Sequence, residues 1–372
     1  MKVLQVCPYF HPHKGGVESH VMSLSRELVK RGHGVQVLTA RLPGMRDAEE
    51  VDGVRVKRVK PWFVWFKTPV VPGMVKAIRS SGSDLIHSHS PPPLPSHYAA
   101  KAARSSGQPF IVTYHCDLEI SSPLGGLVAG LYGRTFGTST LKKASRVIVT
   151  TETYAATSRT VWNVTPVVIP NMVDTARFKP SVDAGDLRSK LGMGADEKVV
   201  LFVGRLTRHK GLEYLLEASR RVKARVLIVG GGELEGRCRQ MAKELGVEER
   251  TIFAGEVDDA VLPKYYSISD VLALPSTSRL EAFGIVGLEA MASGRPVVIS
   301  DIPGVREIIN DGKEGLLAEP MNPEDLARKL SAILKDDGRR REMGASARKR
   351  VEEHFSVEKV VDRIVGLYEE VA

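Results

Sequence analysis

The chain has 372 residues, 42% of them apolar and 26% charged, with a formal net charge of +9. That exceeds what one hydrophobic core usually serves, roughly 100–200 residues per domain, so two domains are expected. No apolar run approaches the ~20 residues of a membrane-spanning helix, the start Met1–Cys7 is too short and strand-like for a signal peptide, and three widely spaced cysteines indicate neither a disulfide framework nor a metal site, so a reduced, cytoplasmic protein is expected.

In chain order, Val3–Pro8, Val35–Thr39, Leu85–His89, Phe110–His115 and Val147–Thr150 are short apolar runs with strand character, and Val17–Arg31 has a helical pattern that stops at Gly32-His33-Gly34. After Val167-Val168-Ile169-Pro170-Asn171 the pattern restarts with Val199–Gly204, Arg225–Gly230, Thr251–Ala254, Val271–Leu274 and Pro296–Ser300, and a last helix covers about Val357–Glu370. Strands alternating with helices argue for parallel sheets covered by helices, in two series of β/α units on either side of about residue 172. No internal repeat is evident.

Ligands of such sheets sit at the carboxyl ends of the strands, so the loops there are where chemistry is sought. In the first loop, Gly15 and Gly16 let the backbone approach a phosphate or sugar closely, with amides of the following helix start facing it. Ile86-His87-Ser88-His89-Ser90 has metal-ligand spacing, but no further Cys or His cluster supports a metal there, and it is taken as a strand end lining a cleft. Arg205 and Lys210, in the loop after the first strand of the second half, are either two solvated cations or a pair that neutralises an anionic ligand.

The stretch Arg279–Ala292 is the most informative. It sets Glu281 in a loop before a helix start and Glu289 inside that helix, about 7 Å along at ~1.5 Å per residue from the amides of Phe283, Gly284 and Ile285. Helix-start amides favour an anion. A ligand with a central diphosphate, a ribose at one end and a sugar at the other meets the amides, Glu289 and Glu281 together, which describes a nucleotide-activated sugar.

Glu281 and Glu289, with Leu274-Pro275-Ser276 before them and Gly294-Arg295-Pro296-Val297-Val298 after, resemble the E-x7-E element of the family 4 retaining glycosyltransferases. The resemblance implies the α/β GT-B fold, two Rossmann-like domains facing across a cleft. Residues 1–172 would form the acceptor-side domain and 173–356 the nucleotide-sugar domain, with the helix at 357–372 packing back on the first. It also implies roles. Gly15 and Gly16 would contact the donor, and His115 a donor-sugar hydroxyl, with Asp117 on the acceptor side. Gly231 and Val257 would lie in loops that hold the base, while Arg205 and Lys210 match a G-R-L-x3-K-G element that stabilises the departing diphosphate. With Glu281, His115, Arg205 and Lys210 form the expected catalytic set. Fixed cations and amides would replace a metal, and the chain lacks the Asp-x-Asp pair that holds one in the other glycosyltransferase fold. No metal and no cofactor are expected, the donor being a UDP-hexose, UDP-GlcNAc or GDP-mannose. Met172 stands where the family commonly has Gly, which affects hinge details.

The expected reaction is metal-independent front-face transfer of a hexose or N-acetylhexosamine to a lipid or glycan acceptor. The first half, with Tyr9-Phe10-His11-Pro12 leading to Gly15-Gly16-Val17-Glu18-Ser19-His20 and Ile86-His87-Ser88-His89-Ser90 later, resembles transferases that put GlcNAc on phosphatidylinositol. A sugar-nucleotide epimerase or a non-catalytic nucleotide-sugar-binding subunit of the same fold is the alternative; a glycogen phosphorylase would need a cofactor lysine that the sequence does not reveal. Residues 1–172 carry 21 Lys/Arg and 10 Asp/Glu, a net of +11, while the rest is close to neutral. No nucleic-acid motif accompanies the excess, so nucleic acid is not expected as a partner. Lys60–Lys67 packs two Trp and two Phe between cations. It suits a loop folded onto the first core or lining an acceptor cleft, or an anionic membrane surface, with the protein peripheral on the inner face of the cell membrane.

Overall fold

Val199–Val203 is apolar at every position because both faces of the strand are covered: Val199, Leu201 and Val203 join one core cluster, and Val200 and Phe202 the cluster on the other face. The same arrangement recurs through the computed structural model, which describes residues 1–13, 15–65, 68–117, 130 and 133–372. The chain divides into two units, one joining Met1–Asn171 to Val357–Ala372 and the other the continuous stretch Met172–Ser356.

Unit 1 is built on β1 (Lys2–Val6), β2 (Gly34–Ala40), β3 (Ala48–Val51), β4 (Val54–Val59), β7 (Leu85–Ser90), β8 (Phe110–Tyr114), β9 (Arg146–Val149) and β10 (Val167–Val168). They form one sheet in the order β10-β9-β8-β7-β1-β2-β4-β3, parallel except where β3 runs against β4. A separate hairpin pairs β5 (Phe63–Trp65) with β6 (Thr68–Val70). The sheet is flanked by α1 (Gly16–Lys30), α2 (Gly73–Arg79), α3 (Pro93–Ser106) and the C-terminal helix Val357–Val371. That last helix is fastened to α1 by Arg31, whose guanidinium donates to Asp362 Oδ1 at 2.6 Å and to the Glu358 carbonyl at 3.0 Å.

Unit 2 carries β11 (Val199–Val203), β12 (Arg225–Val229), β13 (Thr251–Gly255), β14 (Val271–Leu274), β15 (Val297–Ser300) and β16 (Gly315–Ala318), all parallel, in the order β13-β12-β11-β14-β15-β16. Its helices include α4 (Leu212–Ser219), α5 (Glu235–Glu244), α6 (Leu262–Ser267), α7 (Ile285–Ala292), α8 (Pro323–Leu334) and α9 (Asp337–His354). Both units are Rossmann-like.

The strands β3, β4, β5, β6 and β16 have no counterpart among the expected elements. β4 alternates buried valines with exposed Arg55 and Lys57, the pattern of a strand with one wet face, which lacks the continuous apolar run of a strand covered on both faces.

Candidate functional site

In unit 2 the loops at the carboxyl ends of four neighbouring strands are tied to one another through their backbones. The Thr277 amide, after β14, donates to the His209 carbonyl at 2.8 Å; the Leu206 amide, after β11, to Gly231 at 2.9 Å; and the Gly230 amide, after β12, to Gly255 at 2.7 Å. Glycine makes these approaches possible. A Cβ on Gly211, whose φ is +64°, would lie 2.0 Å from the Pro275 carbonyl oxygen. The loops carrying Arg205, Lys210, Gly231, Val257 and Glu281 therefore form one continuous rim. Gly231 lies against Glu256, and Val257 is half-buried on the core beneath.

Lys210 Nζ forms an ion pair with Glu281 Oε2, and Ser276 Oγ donates to the same oxygen at 3.2 Å. Burial alone would raise the Glu281 carboxyl; the Lys210 ammonium, with His209 and Ser276, overcomes it and holds the group below its ordinary value. Arg205 is exposed, with no ion-pair partner among the described residues.

After Glu281 the chain enters α7 through Gly284, whose φ of +81° and close approach to Leu274 Cδ2 leave no room for a side chain. Phe283 is buried in the core, and Ile285 opens the helix. The amides of Phe283, Gly284 and Ile285 donate to no carbonyl among the described residues, so α7 presents free donors at its start. Glu289 follows at the fifth position. Its Oε2 accepts from the Tyr266 hydroxyl of α6 at 2.6 Å. Although the side chain keeps some solvent access, burial pushes its carboxyl up to about 7 against the opposing Tyr266 hydroxyl and Arg177. The two carboxylates thus sit in environments that drive their protonation apart, a pattern typical of working sites.

In unit 1, Gly15 caps α1 and lies against Glu18, which pairs with His13 at 3.0 Å; Gly16 begins the helix. Lys14 lies outside the described residues. His115 follows β8, its amide donating to the Ser90 carbonyl at 2.7 Å. Asp117 Oδ1 accepts from the Tyr114 and Ser158 hydroxyls, at 2.9 and 2.5 Å.

The absence of a histidine cluster expected from the sequence is corrected by the fold. His87 and His89, two apart on β7, face the same side, and α1 brings His20 to the end that His115 occupies. Gln5 Oε1 accepts from His89 Nε2 at 2.8 Å, and His89 Nδ1 lies 3.2 Å from His115 Nε2. Gln5 Nε2 donates to the Tyr368 hydroxyl at 3.2 Å, which is 2.7 Å from His87 Nδ1, and His87 Nε2 is 2.7 Å from Thr113 Oγ1. Burial lowers all four histidines, His20 to about 4 and His87 to about 3. Asn171 partly offsets this at His20, yet neither His20 ring nitrogen meets a partner at hydrogen-bond geometry.

Tyr266, Gln5 and Tyr368 carry no motif of their own, whereas Ser276 stands in the Leu274-Pro275-Ser276 element without a role read from it. Only their positions beside Glu289, Glu281 and the histidines mark them.

Comparison with known proteins fits this architecture. Residues 14–177 match the model described as Glycosyltransferase Family 4, and residues 183–350 that of Glycosyl transferases group 1. The chain is 31% identical to a phosphatidyl-myo-inositol mannosyltransferase of Mycolicibacterium smegmatis, covering 100% of this chain and 94% of the relative. This chain belongs to glycosyltransferase family 4. An uncharacterized glycosyltransferase of Methanocaldococcus jannaschii is 30% identical over 99% of this chain and 98% of its own. Among solved structures, a sucrose-phosphate synthase of Thermosynechococcus elongatus superposes with a TM-score of 0.82 at 26% identity, covering 100% of this chain and 99% of the other. The enzyme is therefore a glycosyltransferase of GT-B type. No helix among the described residues is long and apolar enough to cross a membrane.

Proposed function

We propose that this glycosyltransferase moves a hexose or N-acetylhexosamine from a UDP- or GDP-sugar to a lipid or glycan acceptor, with retention and without a metal. The observation that carries the reading is the gathering of free α7 amides, Glu289 and the Lys210–Glu281 pair on one rim of unit 2. The amides of Phe283, Gly284 and Ile285 take the diphosphate, and ionised Glu289 accepts from the ribose hydroxyls. Glu281 meets the sugar. Gly231 and Val257 approach the base with their backbones. In unit 1, Gly15, Gly16 and His115 serve the donor, and Asp117 the acceptor side.

As the bond from the anomeric carbon to the diphosphate breaks, negative charge grows on the leaving oxygen. Lys210 and Arg205 stabilise it most in the transition state. The acceptor hydroxyl attacks on the face from which the diphosphate departs, and its proton passes to the departing phosphate oxygen. Configuration at the anomeric carbon is thereby kept.

A lipid acceptor is supported by the name of the mannosyltransferase relative and by the β5–β6 hairpin. Trp62, Phe63, Val64 and Trp65 are all more than half exposed there, which speaks against a loop folded onto the core. Phe66 and Lys67 lie outside the described residues. Exposed Arg55, Lys57 and Lys60 lead into the hairpin, so apolar rings and cations together suit an anionic bilayer surface.

The test is turnover of UDP-GlcNAc, UDP-hexoses and GDP-mannose with phosphatidylinositol, the product anomer read by NMR with and without EDTA. Retention with activity surviving EDTA is expected. An inverted anomer, or activity lost to EDTA and restored by magnesium or manganese, overturns the mechanism.

A further inference from the structure

His20, His89 and His115 are buried in unit 1, and each offers a ring nitrogen within 4.8 Å of the others. The bond from His89 Nε2 to Gln5 Oε1 matters first, because an amide oxygen accepts only. It holds the His89 proton on Nε2 and leaves Nδ1 a lone pair. That lone pair faces His115 Nε2 at 3.2 Å. Two nitrogens at about 2.0–2.1 Å from one tetrahedral ion lie about 3.3 Å apart, so this separation equals a ligand-to-ligand edge of such a site. The third member is His20, buried, neither of whose ring nitrogens meets a partner at hydrogen-bond geometry, with Asn171 the neighbour that favours its charged form. A buried polar group left unmade costs about 1–3 kcal/mol, and neither His20 nor the nearby Asn171 Oδ1 recovers it at hydrogen-bond geometry. Its ring centroid is 5.0 Å from that of His115 and 5.5 Å from that of His89.

We propose that His20, His89 and His115 form a three-histidine site for a divalent transition ion of the zinc class, with a fourth position open to water or an anion. Three neutral imidazoles and no carboxylate in the cluster suit a borderline ion, whereas magnesium and calcium demand oxygen ligands. Binding needs no net proton release. The proton between His89 and His115 leaves His115 Nε2 for Nδ1 of the same ring, and His115 then ligates through Nε2. Gln5 becomes the outer partner that orients His89, a role whose loss typically costs 10–100-fold in metal affinity. The site is separate from the donor cations of unit 2 but shares His115 with the donor contact proposed above: once Nε2 holds the ion, the Nδ1 proton of that ring is the one left to meet a sugar hydroxyl.

Equilibrium dialysis of the full chain against buffered Zn²⁺, followed by elemental analysis, tests this without any activity measurement, and Co²⁺ absorption reports the geometry. One ion per chain and an intense tetrahedral cobalt spectrum are expected. His20→Phe, which keeps a ring of similar size, should lose the ion, and Gln5→Leu should weaken it about 10–100-fold, with far-UV circular dichroism confirming both folds. Zinc should also raise the melting temperature of the wild type but not of His20→Phe, since an ion bound to the folded chain stabilises it by mass action. No uptake by the wild type, equal uptake by folded His20→Phe, or a weak octahedral cobalt spectrum overturns the site.

Discussion

Replacing Glu289 by Gln should make the enzyme more stable at alkaline pH while removing the group that takes the ribose. Burial lifts the Glu289 carboxyl from 4.5 to about 7. Each unit of such a shift corresponds to about 1.36 kcal/mol, so the ionised form burdens the folded state by about 3.4 kcal/mol at most. Between those two values the folded chain holds a proton that the unfolded chain has released. Stability from this group is therefore complete below pH 4.5, declines as pH rises, and is gone above about 7. Glu289→Gln removes the titration and keeps an acceptor for the Tyr266 hydroxyl. Its stability relative to the wild type should consequently rise by about 2.5 kcal/mol between pH 5 and pH 8.5. Urea unfolding at both pH values, followed by circular dichroism, measures the double difference. Two units can unfold in separate steps, and the shift belongs to the step that contains unit 2. A difference between the variants that is the same at both pH values, within about 0.5 kcal/mol, refutes the inverted titration of Glu289.

Two further outcomes follow from the site and the hairpin. Lys210→Ala leaves Glu281 buried and uncompensated, which should cost about 3–5 kcal/mol of stability; adding Glu281→Gln should restore most of the melting temperature but not turnover, and a double variant with wild-type kcat would remove Lys210 from the transition state. In flotation assays the enzyme should rise with anionic but not neutral liposomes, less so in high salt or with Trp62→Ala and Trp65→Ala together, whereas no recovery with either vesicle points to a soluble acceptor.

Residues 199–203, 225–229 and 271–274 could be read as strands because parallel strands buried on both faces leave short, Val- and Leu-rich apolar runs, which their brevity and flanking glycine, proline or polar residues set apart from buried helix. The antiparallel β3 against β4 could not, since its half-exposed strands are rich in charge. The start of α7 was legible for a similar reason: Gly284 and the two glutamates are local in sequence. What surrounds them was not. Tyr266 stands 23 residues from Glu289, and Lys210 is 71 from Glu281; only the parallel crossover connections bring such partners to one sheet end. His20, His89 and His115 show the limit most plainly. His89 and His115 each stand out on their own, but nothing in the sequence joins them to each other or to His20, and helix α1 and two adjacent strand ends make them neighbours.

The C-terminal helix places Tyr368 among Gln5 and His87, so residues near the two ends of the chain share one interior. Unit 2 is thus an insertion within unit 1, and this has a consequence for synthesis on the ribosome. At ~5–20 residues per second, the first strands wait roughly 10–40 s between completion of residue 171 and emergence of the helix that covers them. Through that interval Gln5 and His87 lack the hydroxyl they bond, whereas unit 2, continuous in sequence, needs no later segment to complete its own fold. Unit 1, the first to be begun, is thus the last whose chain is complete.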